Sequence, residues 1–201
     1  QKTGGTVAID GTSYGVSDGI AWFDHQWGGS PVAQSGPTYT WSGWCWFEFQ
    51  FDGGRSLTLS VPHDAIVGGQ IAPSDLTGFG TFIDNGTATF VAATMQVLSY
   101  QPSPNSDARY PSGWTFEVAN LPLPGQPTTP IALVVKPLAP IQPQTLYFAS
   151  LVEYSEANNT VTATGTIGGS SVALSGVGYC EGVGFENPAE YYARAEDFLM
   201  T

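Results

Sequence analysis

The nine residues from Gly43 to Phe51 constrain the fold more than any other stretch. Trp44, Trp46, Glu48 and Gln50 alternate with Cys45, Phe47, Phe49 and Phe51. A period of two is that of a β-strand, whose successive side chains point to opposite faces. The Cys-Phe-Phe-Phe face is fit for a dry core. The Trp-Trp-Glu-Gln face is amphipathic and suits a pocket wall or an interface. Asp52-Gly53-Gly54 then turns the chain into Ser56 to Val61, where Leu57, Leu59 and Val61 alternate with Ser and Thr, completing a hairpin.

The same grammar recurs along the chain. Thr6 to Ile9 and Tyr14 to Val16 flank the turn Asp10-Gly11, and Asp18-Gly19 reads as a second turn launching a strand from Ile20 to Trp27. Gly78 to Ile83 and Thr87 to Ala92 flank Asp84-Asn85-Gly86, with Met95 to Tyr100 continuing the second strand. Residues 101–113 read as a loop. Trp114 to Val118, Ile131 to Lys136, Leu146 to Tyr154, Thr160 to Ile167 and Val172 to Phe185 read as strands, with Asn158 in a turn. Residues 188–200 carry the only helical signal, opened by Pro188. About ten strands with short turns and a C-terminal helix predict an all-β antiparallel up-and-down barrel or a strongly curved sheet. A Greek-key sandwich is the alternative.

At 201 residues, with 42% hydrophobic residues, the chain is sized for one domain, 1–201, with a substantial core. Its formal charge of −12 argues against binding nucleic acid or anionic membranes. No apolar run approaches the roughly 20 residues of a membrane helix. Low charge, few lysines and the sequons at Asn85 and Asn158 point to a secreted glycoprotein. Cys45 and Cys180 are its only cysteines, open to pairing with each other, to burial as free thiols, or to bonding another chain. Two such ligands make no zinc site, and no phosphate loop, nucleophile elbow or dinucleotide fingerprint occurs, so no metal or cofactor is expected.

Chemistry concentrates at Trp22-Phe23-Asp24-His25-Gln26-Trp27-Gly28. In a strand, Trp22, Asp24 and Gln26 share one face, and Phe23, His25 and Trp27 the other. A carboxylate walled by indoles loses hydration, which favours its neutral, proton-donating form, and His25 could relay the proton. The alternative is an aromatic core strand with a structural Asp. In Gly176-Val177-Gly178-Tyr179-Cys180-Glu181-Gly182, the glycines permit close approach of a ligand or another backbone, while Tyr179 and Glu181 share a face. A phenol beside a carboxylate can orient a hydroxyl or carbonyl; the plainer reading is a barrel-closing strand kinked by glycine. His63-Asp64, after Pro62, reads as a surface turn.

The Trp22–Gly28 and Gly176–Glu181 stretches, with Gly43-Trp44-Cys45-Trp46-Phe47 and Tyr110-Pro111-Ser112-Gly113-Trp114 between them, resemble in order and spacing the C-terminal lipocalin-like domain of the carotenoid 1,2-hydratase and AttH-like family. Fungal relatives include kievitone hydratase-like proteins and Diels–Alderases. The resemblance implies a lipocalin-like barrel that is the second of two, the first being an N-terminal lipocalin-like partner on the same or a separately processed chain. It implies Asp24 as the acid, and Tyr179 and Glu181 in the late Gly-Tyr-x-Glu strand. Where many bacterial members carry Arg-Glu after that Asp, this chain has His25-Gln26, which leans towards the secreted fungal branch.

The resulting expectation is a cofactor-independent enzyme holding a conjugated, apolar small molecule between Trp22, Trp27, Trp44, Trp46 and Trp114, with Asp24, His25, Tyr179 and Glu181 handling one proton. Diels–Alder cycloaddition is the first reading and hydration or dehydration the second, since the same acid serves both. A non-catalytic ligand carrier and a sugar-binding module are the other two; the last predicts Trp44 and Trp46 on an open face.

Overall fold

The computed structural model describes residues 2–20, 22, 42–64, 76–84, 86–104, 108–120, 131–139, 142–146, 152–167 and 170–185. They fall in two compact units, Gln1–Pro31 and Val32–Thr201. The first contains an antiparallel hairpin, β1 (Lys2–Ile9) and β2 (Thr12–Ile20). Asp10 and Gly11 join the strands with φ of 49° and 77°, the left-handed pair that a two-residue hairpin turn demands. Asp18-Gly19 does not reverse the chain. The register slips by one residue between Val16 and Gly19, Asp18 takes a φ of 54°, and the strand continues. This is a bulge, which answers the same turn-residue chemistry by kinking a strand instead of ending it. Trp22 lies beyond β2 and is exposed, so the strand expected from Ile20 to Trp27 does not include it. Residues 23–27 lie outside the described residues.

The second unit is a barrel. Its strands are β3 (Ser42–Phe51), β4 (Arg55–Asp64), β5 (Leu76–Asp84), β6 (Thr87–Pro102), β7 (Arg109–Asn120), β8 (Ile131–Pro137), β9 (Gln142–Leu146), β10 (Val152–Ile167) and β11 (Ser170–Val183). Each pairs antiparallel with its neighbours in the order β3-β4-β5-β6-β7-β8-β10-β11, and β11 returns to β3, closing eight strands on themselves. Closure removes the free edges and excludes the sandwich. The long β10 is shared: Asn159–Gly165 pairs with β8 and Val152–Glu156 with β9, so two short strands follow one another along it.

Three boundaries differ from the sequence reading. Tyr110 and Pro111 belong to β7, because the long β6 pairs with them through two register shifts near Ser99. Leu146 and Val152 fall in different strands that pair with each other. Asn158 sits inside β10 opposite Tyr179, not in a turn. The Asn-Asn pair imitates a turn locally, but strands on both sides hold it extended. The helix expected over 188–200 lies outside the described residues.

Alternation decides the inside. Cys45, Phe47, Phe49 and Phe51 are buried in the lumen with Leu57, Leu59, Val61, Met95, Phe116 and Val135. Phe47 packs on Phe49, Phe116 and Trp114 with ring centroids 5.9, 4.9 and 5.3 Å away, so side chains from β3 meet those from β7 across the barrel. The seam between β11 and β3 depends on glycine: a Cβ on Gly176 or Gly178 would overlap the carbonyl oxygen of Gln50 or Glu48. The glycine-rich motif therefore meets another backbone.

Candidate functional site

The two ends of the barrel differ. At the end with the tight turns Asp52–Gly54 and Asp84–Thr87, an apolar recess of about 350 Å³, counted to its open mouth, is lined by Phe51, Phe82, Val91, Ile131 and Leu174 among others. The Arg55–Asp84 ion pair, 2.9 Å, stands at its rim. The opposite end carries most of the buried polar side chains. His63, Ser155 and Asn159 are buried there, with Tyr110, Cys45 and Cys180.

Each is placed by its strand. His63 continues the Leu57, Leu59, Val61 face of β4, which makes it a lumen residue and not part of a surface turn. It stands directly opposite Gly43, whose missing side chain makes room for the imidazole. Phe185, just past β11, is fully buried between His63 and Tyr110, at centroid distances of 5.0 and 5.4 Å, and caps this end. Ser155 Oγ donates to Gly182 O at 3.1 Å. Asn159 is 0% exposed, and its Nδ2 donates to Ala157 O at 3.0 Å. Its Oδ1 accepts nothing, and the buried Nε1 of Trp114 donates to nothing, among the described residues.

Cys45 and Cys180 are free thiols on adjacent strands. They are not directly opposite: Cys45 faces Gly182, and Cys180 faces Phe47. Such diagonal positions lie roughly 7–8 Å apart, beyond ordinary disulfide reach, and of the three states the sequence leaves open the structure has the two buried free thiols. Burial pushes Cys45 above the usual thiol range and Cys180 up to about 12.

The other expected site residues divide. Trp114 lines the lumen. Trp44 and Trp46 lie on the opposite face of β3, half-buried and outward. Tyr179 and Glu181 share a face as expected, but it is also the outer one, because Gly178, Cys180 and Gly182 take the lumen side of β11. There Tyr179 stands between Glu48 and Asn158 on the neighbouring strands, and Glu181 between Trp46 and Glu156. Burial, a hydrogen bond to Glu156 and the charges of Glu156 and Glu181 hold the Tyr179 phenol protonated well above its usual range. Glu48 is 6% exposed, and burial raises its carboxyl, partly offset by a hydrogen bond from Gln50. Asn158 is exposed on this wall. Asp24, His25, Trp27 and Asn85 lie outside the described residues.

The chemistry of the lumen is thus an aromatic floor beneath an imidazole, a phenol, an amide and an indole N–H. Tyr110 opens the Tyr110–Trp114 motif, but His63 reads as a surface turn and Asn159 carries no motif; the signal that places all three in the lumen is alternation carried along their strands. No group of three His, Cys, Asp or Glu that could hold a metal occurs among the described residues.

A family model described as AttH-like matches residues 1–185. No curated protein matches the sequence. Among solved structures, kievitone hydratase from Nectria haematococca aligns with a TM-score of 0.60 at 15% identity, over 90% of this chain and 50% of that one. The chain therefore spans about half the length of that enzyme, and at this identity the match speaks for the fold. The closed lipocalin-like barrel and the family match over 185 of 201 residues together make this chain a member of the AttH-like family.

Proposed function

We propose that this chain forms the lumen-bearing half of an enzyme that adds water to, or removes it from, an uncharged conjugated small molecule. The observation that carries the reading is the polar end of a closed aromatic lumen, where His63, Tyr110, Asn159 and Trp114 are all buried in a barrel that also buries Phe47 and Phe49. Hydration of a C=C bond needs one group to give a proton to carbon and one to take a proton from water. An imidazole can do either, and a phenol can orient the partner oxygen. Asp24, with His25, remains the proposed acid from the family motif. Tyr179 and Glu181 act from outside the lumen, as supports of the β10–β11–β3 wall.

The similarity to kievitone hydratase supports the hydro-lyase reading and names a first probe. Incubating the chain with kievitone and related prenylated phenols should yield a product heavier by one water. His63→Gln and Asp24→Asn should each lower its rate at least tenfold. A product of unchanged mass but altered retention would favour the cycloaddition reading, and ligand returned unchanged would favour a carrier. The half-length match also supports an N-terminal lipocalin-like partner, on the same or another chain. Exposed Asn158 supports a secreted, glycosylated form. The outward Trp44 and Trp46 favour one second reading, a sugar-binding face, which retention of the chain on immobilised polysaccharide would test.

A further inference from the structure

Trp114 and Asn159 face the same lumen from β7 and β10, with only β8 between them. Trp114 is 2% exposed and Asn159 0%. The indole Nε1–H has no acceptor and the amide Oδ1 has no donor among the described residues. The amide's orientation is fixed, because its Nδ2 donates to Ala157 O; turning the group over would set two oxygens against each other. Buried polar atoms of this kind are rare in native proteins, and leaving them unsatisfied costs free energy that a ligand can return. Around them the walls are aromatic and apolar, apart from the Cys180 thiol, which is hydrogen-bonded to the Asn159 amide. Phe47 packs edge-on against Trp114, and the Phe49 ring lies over Gly178, the residue directly opposite Asn159.

One buried donor and one buried acceptor, each without a partner among the described residues, select a group that accepts once and donates once. We infer that the lumen binds its ligand through a single hydroxyl, which accepts from Trp114 Nε1 and donates to Asn159 Oδ1. A carbonyl or ether would serve only the indole, and an ammonium only the amide. His63 is the basic side chain buried at this end among the described residues, and the Arg55–Asp84 pair stands at the other rim. The ligand class is therefore a neutral, largely apolar alcohol or phenol. This deepens the proposed function by naming the anchoring group, but it concerns binding and stands apart from turnover.

The test is binding of three matched probes, 2-naphthol, 2-methoxynaphthalene and naphthalene, by calorimetry at neutral pH. The Trp114 indole N–H resonance serves as the local reporter. The naphthol should bind at least tenfold tighter than the other two and shift that resonance. Trp114→Phe keeps a ring against Phe47, and Asn159→Leu keeps the volume. Each should reduce the preference to about twofold. Equal binding of the three probes, or no binding of any, would overturn the inference. So would a preference that survives in both variants, since fixed water would then satisfy the two atoms. A chain that shows the preference but hydrates nothing would refute the proposed reaction and leave this site standing.

Discussion

Replacing Phe47 with alanine should do more damage than any comparable change on the same strand. The ring is 0% exposed and meets Phe49, Trp114 and Phe116 at 5.9, 5.3 and 4.9 Å. Loss of a buried Phe side chain costs about 3–5 kcal/mol, combining lost transfer energy with the cavity left behind. Two of its contacts are edge-to-face, a geometry worth roughly 0.5–1.5 kcal/mol each beyond area, which places Phe47 in the upper half of that range. For a chain of this length each kcal/mol moves the melting midpoint by about 2–4 °C, so a fall of roughly 8–20 °C is expected by circular dichroism. Val177→Ala is the control: its side chain is 50% exposed on the outer wall, and its change should stay within about 0.5 kcal/mol. The new cavity would be apolar and dry, so saturating benzene should restore part of the loss in Phe47→Ala and none in Val177→Ala. A Phe47→Ala midpoint within 3 °C of the parent would refute the view that this ring is the keystone of the lumen.

Three further outcomes are expected. Glu48→Gln should stabilise the protein at pH 7, because burial holds the Glu48 pKa above its unfolded value and the charged form is the disfavoured one; the gain should vanish below about pH 4, seen as converging melting curves. Gly178→Ala should cost about 1–3 kcal/mol in urea unfolding, since the added methyl meets the Glu48 carbonyl, whereas Gly15→Ala, with nothing near its Cβ, should be close to neutral. Cys45 and Cys180 should resist iodoacetamide at pH 8 in the native protein and both react in denaturant without reductant, giving two additions by intact mass; no addition would mean that the pair is oxidised.

The barrel was legible because its signal is repetitive. The alternation of Cys45–Phe51 against Trp44–Gln50, and of Leu57–Val61 against serines and threonines, survives intact in which side chains are buried. Boundaries failed where local chemistry and sheet context disagree, as at Asn158-Asn159, where turn-forming residues are held extended by strands on both sides. The site was less legible. Tyr179 and Glu181 share a face, as any i, i+2 pair in a strand must, but which face turns inward is set by Gly178 and Cys180, and a motif alone does not say so. His63 was passed over because Pro62 beside it suggests a turn; the exposed Pro62 and buried His63 are the two faces of one strand. Trp114 was legible as a pocket aromatic, but the open Nε1 of Trp114 and Oδ1 of Asn159 have no trace in sequence.

The ladder that closes the barrel joins β3 to β11, whose paired residues lie more than a hundred positions apart. Every other neighbouring pair can form while the chain is still being made, but the first barrel strand must wait, with its phenylalanine row uncovered, until the last has emerged. Long-range pairing of this kind is slow and leaves an open edge in the meantime. The chain is thus most vulnerable to self-association late in synthesis, and cutting it short before Gly176 would leave two sheet edges and no barrel.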